Sequence, residues 1–311
     1  MVYDLIIVGG GPAGITAGIY GARYKLKTLL ITKDFGGQIA KKAVPIENYP
    51  GFREISGLDL IQKFKEHLEK FKIDIEMDSV IKIEKNNENF QVLTEKRKNF
   101  ESKTVIIASG SDPRPLKVPG EQEFIGKGVS YCPTCDAPLF KGKTAAVIGG
   151  GNAGFEAAIA LSRWAKKIYI LEYGEKVVAD IQNQELAKKT GKVEIINSAA
   201  LKEIKGDKFV NSIIYEDRKT GRDEQLKVEG VFVEIGSLPA SSFARDLVEL
   251  NERGEIKVDF ETFQTKTPGL FAAGDVNVGK YKQIVTAAGE GANAALAAAE
   301  YLRDLKAKNE K

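Results

Sequence analysis

The chain has 311 residues, more than a single hydrophobic core usually fills, so two domains are expected. Hydrophobic residues make up 43% and charged residues 29%, and Lys+Arg 46 against Asp+Glu 43 leaves a net charge of only +3. With both signs interleaved, that balance gives no electrostatic footprint for a nucleic acid or another polyanion, and no long, continuously apolar run is available to span a bilayer.

The N-terminus, Val2-Tyr3-Asp4-Leu5-Ile6-Ile7-Val8, lacks the basic start and the apolar run of a signal peptide, which predicts a cytoplasmic protein. Residues 4 to 8 read as a strand that ends in Gly9-Gly10-Gly11-Pro12-Ala13-Gly14 and continues as a helix. Gly9, Gly11 and Gly14 suit a dinucleotide turn: one glycine for the tight bend, one for close approach of the backbone to a pyrophosphate, one for helix–strand packing. An acid about 20 residues on would hold a ribose hydroxyl. Thr32 stands in that slot, so the first site must hold its ribose through Thr32, Asp34 or the loop Gly36-Gly37-Gln38. His67 falls in an amphipathic helical stretch, Leu60 to Phe71, and reads as a solvated surface residue, whereas Tyr20 and Trp164 read as core.

Gly110-Ser111-Asp112-Pro113-Arg114-Pro115 is a hinge-like linker. After it come both cysteines of the chain, in Ser130-Tyr131-Cys132-Pro133-Thr134-Cys135-Asp136. A closed zinc site needs four ligands and His67 is the only other soft one, while so short a loop makes a poor structural staple. Redox chemistry is the better reading of a Cys-x-x-Cys pair near a helix start.

A second glycine turn follows strand-like residues 144–148 at Gly149-Gly150-Gly151-Asn152-Ala153-Gly154, and leads into a helix-like Phe155 to Trp164. Gly149, Gly151, Asn152, Ala153 and Gly154 would carry a second dinucleotide, and here the acid is present: Ile168-Tyr169-Ile170-Leu171 ends in Glu172. The return linker is Gly236-Ser237-Leu238-Pro239-Ala240-Ser241. Beyond it, Leu270 to Ala273 is a short apolar strand closed by Gly274-Asp275, and Tyr281-Lys282-Gln283-Ile284 opens an Ala- and Gly-rich helix from Val285 to Leu302. Asp275 suits a ribityl hydroxyl or, equally, the acidic cap of a tightly packed core helix. The first glycine turn and this last segment have the character of one flavin site, which makes the intervening nucleotide domain an insertion.

Taken together, Gly9 to Gly14, Gly36-Gly37-Gln38, Glu47-Asn48-Tyr49-Pro50-Gly51, Cys132-Pro133-Thr134-Cys135-Asp136, Gly149 to Gly154, Gly274-Asp275 and Gln283 resemble the low-molecular-weight thioredoxin reductase family over the whole chain. Around Tyr131-Cys132-Pro133 and Tyr281-Lys282-Gln283-Ile284 the chain is similar to the flavoprotein of alkyl hydroperoxide reductase, a relative with an additional N-terminal region that is not expected here.

The resemblance implies an α/β fold of two three-layer, Rossmann-like domains: a discontinuous FAD domain, 1–112 and 242–311, and an NAD(P) domain, 113–241, carrying the redox disulfide. It also implies a homodimer. FAD would be held by Gly9, Gly11, Pro12, Ala13, Gly14, Thr32, Gly37, Gln38, Asn48, Val80, Ala108, Ser109, Gly110, Gly274, Asp275, Lys282, Gln283 and Ile284. In the family the cysteine matching Cys135 faces the flavin, the one matching Cys132 attacks the disulfide of a partner, and the acid matching Asp136 supplies a proton.

The expected activity is transfer of electrons from NAD(P)H through FAD and Cys132–Cys135 to thioredoxin or a similar small redox protein. Alternatives are an NADH-dependent reductase of a peroxiredoxin or glutaredoxin-like system, and a flavin redox sensor without turnover, which the second glycine turn disfavours. Because disulfide and nicotinamide site lie on one inserted domain and each must reach the flavin, a hinge rotation is expected. NADPH-dependent relatives follow the matching strand with His-Arg-Arg-x-x-x-Arg, but here the matching positions are Glu172, Tyr173, Gly174 and Val178, with Lys176 the nearest cation in sequence, which predicts a preference for NADH.

Overall fold

The computed structural model describes residues 1–41, 46–86 and 88–309. The chain forms two compact units, one built mainly from residues 1–40, 46–112 and 238–311, the other from 113–237.

The first unit opens with β1 (Val2–Gly10), α1 (Pro12–Arg23), β2 (Thr28–Phe35), α2 (Gly57–Glu69), β3 (Asp74–Met77), β4 (Val80–Asn86), β5 (Asn89–Thr94), β6 (Asn99–Ile107) and the short β7 (Ser111–Pro113). The sheet runs β3-β2-β1-β6-β5-β4, parallel from β3 to β6 and antiparallel from there on. Strand β1 reads as a continuous apolar run because both of its faces are covered, with Leu5, Ile6 and Ile7 fully buried. Helix α1 is made of small residues for a reason of distance: a Cβ on Gly291, in the last helix, would stand 2.0 Å from the Ala13 carbonyl oxygen, so the two backbones pass in contact. Helix α2 starts at a Ser56 cap whose hydroxyl accepts the Asp59 N–H, and it buries Leu60, Ile61 and Leu68 while His67 stays exposed.

The second unit contains β8 (Val129–Ser130), α3 (Pro133–Asp136), β9 (Thr144–Ile148), α4 (Asn152–Leu161), β10 (Lys167–Leu171), α5 (Ile181–Lys189), β11 (Val193–Ile196), β12 (Ala199–Gly206), β13 (Val210–Asp217), β14 (Arg222–Lys227) and β15 (Gly230–Val233). Its five-stranded sheet is wholly parallel, in the order β11-β10-β9-β15-β8, and β12-β13-β14 form a separate antiparallel meander. Helix α4 ends at Leu161, short of the expected Trp164. That residue falls in the following turn, where its N–H bonds the Leu161 carbonyl, and it is 40% exposed rather than core.

The return crossing, β16 (Ser237–Pro239), pairs with β7, so the two linkers run side by side. The units divide between Ser237 and Leu238, upstream of the expected 241/242 boundary. Residues 240 and 241 are tied to the first unit: the Ala240 N–H bonds the Gly110 carbonyl, the Ser109 hydroxyl bonds the Ala240 carbonyl, and the Ser241 hydroxyl bonds the Gly254 carbonyl. Then β17 (Leu270–Ala272) joins the sheet against the C-terminal half of β6, and α6 (Ile284–Asn309) extends beyond the expected Leu302. Both units are thus mixed α/β folds in which parallel strands end in the glycine turns. No helix among the described residues is long and apolar enough to cross a membrane.

Candidate active site

At the C-terminal edge of β1, Gly9 adopts φ +116°, and a side chain there would meet the Ala108 carbonyl oxygen at 2.2 Å. Gly14 sits on the next turn of chain, with the Gly9 carbonyl oxygen 1.8 Å from where a Cβ would be. Around Gly11, by contrast, nothing lies within 4 Å of that point. The first and third glycines are packing requirements, and the second leaves open space at the start of the twelve-residue α1, which is what a pyrophosphate on a helix N-terminus needs.

The late segment closes on the same edge. A Cβ on Gly274 would stand 3.1 Å from that of Ala13, and the Ala273 N–H bonds the Ile107 carbonyl, so the Gly274-Asp275 turn lies against the first glycine turn although their motifs lie at opposite ends of the chain. Replacing Gly14 by Ala is expected to push this turn apart and abolish flavin retention. The ratio of flavin absorbance to protein in the purified variant checks this, and a full complement would contradict it.

The remaining flavin candidates fall into distinct arrangements. The Asn48 side-chain amide donates to the Gln283 side-chain oxygen Oε1 at 3.1 Å, joining two of them across most of the chain. Gln38 donates to the Ser111 carbonyl at 3.1 Å and to its hydroxyl at 2.6 Å, beside the Ala108-Ser109-Gly110 strand end. Gly37 is in the left-handed region at φ +52° with open space around it, and Val80 is half-buried at the start of β4. Thr32 is only 5% exposed and its hydroxyl donates to the Asp34 carbonyl, so that proton is committed to the local turn.

The Lys282 amine likewise turns inward. It bonds the Asp275 and Asn277 carbonyls and pairs with Glu255 at 3.1 Å. Glu290 of α6, which no sequence motif marks, accepts the Gly274 N–H and the Asn277 amide, both at 2.7 Å. Burial pushes its carboxyl above the usual range, and the Gly274 and Asn277 bonds oppose this. These two side chains fix the Gly274-Asp275 turn from behind. Ile284 begins α6, where the Ala287 N–H bonds the Gln283 carbonyl.

The second turn repeats the first. Gly149 is also at φ +116°, a Cβ on it would meet the Glu234 carbonyl oxygen at 2.3 Å, one on Gly154 would meet the Gly149 oxygen at 1.9 Å, and Gly151 faces open space. Glu172 follows β10 and is pinned by two backbone amides: Gly150 N–H to Oε2 at 2.7 Å and Gly174 N–H to Oε1 at 2.6 Å. Asn152 is held by Asp180, its amide donating to Oδ2 and its carbonyl oxygen accepting the Asp180 N–H, each at 2.7 Å. Ala153 follows in the first turn of α4. Arg218 was not foreseen here: its guanidinium lies 3.9 Å over the Tyr173 ring and Nη1 donates to the Tyr173 carbonyl at 2.8 Å. It arrives from the end of β13, so nothing in the sequence near Glu172 announces it.

Cys132 and Cys135 are joined as a disulfide. Cys132 caps the single turn of α3, its sulfur accepting the Cys135 N–H at 3.3 Å, and Cys135 is exposed whereas Cys132 is half-buried. Asp136 accepts a hydrogen bond from the Ser130 hydroxyl at 2.6 Å. On the other side of the loop the Tyr131 hydroxyl donates to Glu121, a carboxylate only 1% exposed that also accepts the Leu116 and Lys117 N–H groups, each at 2.7 Å. Burial, together with that bond to Glu121, holds the Tyr131 hydroxyl far above its usual titration range. Neither Ser130 nor Glu121 carries a motif that would have singled it out.

Residues 3–291 match the model of the pyridine nucleotide-disulphide oxidoreductase family. An alkyl hydroperoxide reductase component from Staphylococcus aureus is 44% identical over 302 residues, which is 96% of this chain but 59% of that protein, so the chain spans well under two thirds of the length of these curated relatives. Among solved structures, thioredoxin reductase of Lactococcus lactis superposes with a TM-score of 0.93 at 38% identity, covering 97% of this chain and 99% of that one. That of T. acidophilum does so with a TM-score of 0.90 at 39% identity, covering 96% and 98%. With two glycine turns on parallel sheets and a disulfide at Cys132–Cys135, the chain belongs to the pyridine nucleotide-disulphide oxidoreductase family.

Proposed function

We propose that this chain is an FAD-dependent reductase that takes electrons from a nicotinamide nucleotide, NADH in preference to NADPH, and passes them through Cys132–Cys135 to the disulfide of thioredoxin or a similar small redox protein. The observation that carries this reading is the formed disulfide, with a carboxylate beside it, in the unit that also bears the second glycine turn. Likeness to the Lactococcus and T. acidophilum thioredoxin reductases over nearly their full length supports the acceptor class. We further propose, from the same likeness, a cytoplasmic homodimer whose domains are the two units described above.

The residues fit the cofactor: the open space at Gly11 and the anchored Gly274-Asp275 turn leave a cradle along one sheet edge. Bound there, FAD would supply a two-electron relay between a nicotinamide hydride and a disulfide. The protein's own part is then binding and proton handling. Gly9, Gly11 and Gly14 would admit the pyrophosphate and Asp275 would hold a ribityl hydroxyl, while Asn48 and Gln283 brace each other. Gly149 to Gly154 and Glu172 hold the nicotinamide nucleotide. Two electrons and two protons convert the disulfide to a dithiol, Asp136 supplies or removes a proton at the thiols, and the Cys132 thiolate attacks the disulfide of the acceptor. The net change is NADH, a proton and an oxidised acceptor giving NAD⁺ and a reduced acceptor.

Mixing the flavin-loaded protein with NADH under anaerobic conditions should bleach the flavin's visible absorption, and oxidised thioredoxin should restore it. Bleaching without reoxidation by any disulfide would leave a sensor rather than a reductase. The Staphylococcus relatives favour a second reading, in which the acceptor is the disulfide of a peroxiredoxin-linked protein. Faster reoxidation by such a protein than by thioredoxin would select it.

A further inference from the structure

We propose that Ser130 is a positioning residue for proton transfer, fixing Asp136 so that one carboxylate oxygen, Oδ1, serves the thiols while Oδ2 stays anchored. The inference rests on the reading of Asp136 as the proton-handling group of the disulfide. Ser130 ends β8, the edge strand of the parallel sheet, paired with Phe232 of β15 and only 5% exposed. Its hydroxyl has one proton to give, and a carboxylate can only accept, so the 2.6 Å bond runs from Ser130 Oγ to Asp136 Oδ2. Ser130 Oγ in turn accepts the Cys132 N–H at 3.0 Å. A directed chain results, Cys132 N–H to Ser130 O–H to Asp136, in which the acid is referenced to the backbone of the cysteine it serves.

Among the described residues, Asp136 is otherwise placed by its backbone, whose N–H bonds the Cys132 carbonyl at 3.1 Å at the end of a single helical turn. A short aspartate there has staggered χ1 alternatives, and proton transfer demands a heavy-atom separation within hydrogen-bond reach. The buried hydroxyl selects one of those rotamers. It also separates the roles of the two oxygens, since Oδ2 is occupied by the serine proton as long as the carboxylate is ionised.

The bland reading is that Ser130 merely satisfies the Cys132 N–H and shapes the loop. A double-mutant cycle on the flavin-loaded enzyme separates the two, with NADH as donor and the aromatic disulfide dithionitrobenzoate as acceptor. Ser130→Ala is expected to lower kcat roughly tenfold, the scale of one hydrogen bond to a charged group, with KM unchanged. In the Asp136→Asn background the same change should cost nothing further, because residues acting as a unit are non-additive. Ser130→Thr, which keeps the hydroxyl, should restore most of kcat. An equal loss from Ser130→Ala in both backgrounds, an effect on KM alone, or equal losses in the Ala and Thr variants would overturn the proposal while leaving Asp136 in its role. Unchanged turnover in Asp136→Asn alone would remove that role, and the proposal with it.

Discussion

Cys135→Ser should abolish reduction of disulfide acceptors while leaving reduction of the bound flavin by NADH intact. A serine oxygen cannot close the bond seen between Cys132 and Cys135, so the variant has no two-electron store between the flavin and the acceptor. Cys132 alone can form a mixed disulfide with an acceptor, but no second thiol is present to resolve it. The proposed nucleotide and flavin sites should be untouched, because Gly149 packs against Glu234, Gly154 against Gly149, and Glu172 is held by the Gly150 and Gly174 N–H groups, while Gly9 and Gly14 make contacts within their own unit. Stopped-flow absorbance after anaerobic mixing with NADH reads the first half of the cycle, and steady-state turnover with thioredoxin the second. A folded Cys135→Ser protein whose flavin NADH no longer reduces would contradict this order of events.

What could be read from the sequence follows the range of the interactions involved. The glycine turns were legible because their geometry is set within six residues and only glycine tolerates φ +116° beside a carbonyl oxygen, as at Gly9 and Gly149. The disulfide pair was legible for the same reason. Two linkers of matching chemistry mark crossings in the sequence, whereas Ala240 and Ser241 bond Gly110 and Gly254, partners that no local composition reveals.

The side chains that aim the site were not legible. Glu121 reaches Tyr131, Glu290 reaches the Gly274 amide, and Arg218 reaches Tyr173, each across a separation that leaves no motif. Trp164 differs in the opposite way: helical periodicity runs past Leu161 in the sequence, but the chain already turns there and leaves the ring exposed. Thr32 does stand beside the first glycine turn, its side chain close to Gly10, yet its hydroxyl serves Asp34.

The proposed preference for NADH rests on that same mixture of local and distant contacts. Glu172 sits where the second fingerprint requires an acid, and the structure adds how it is held. With Gly150 N–H on one oxygen and Gly174 N–H on the other, the carboxylate is locked against the glycine turn, each oxygen keeping a lone pair for a ribose hydroxyl. A hydrogen bond to a charged group contributes roughly 1.5–3 kcal/mol, and each 1.4 kcal/mol is about tenfold in affinity, so kcat/KM for NADH should exceed that for NADPH by at least about tenfold. A 2′-phosphate would lose that bond and meet the carboxylate's charge.

Arg218 opposes this, since it brings a cation to the residue next to Glu172. But its guanidinium is already stacked on Tyr173 and bonded to the Tyr173 carbonyl, and Tyr173 is 62% exposed, so its attraction for a phosphate is screened by solvent. Glu172→Ala should therefore lower kcat/KM for NADH by about tenfold and narrow the gap between the nucleotides, whereas Arg218→Ala should widen it by weakening NADPH alone. Measuring kcat/KM for both nucleotides in the three proteins decides the matter: equal values in the parent enzyme, or a higher one for NADPH, would mean that Arg218 and not Glu172 governs the ribose.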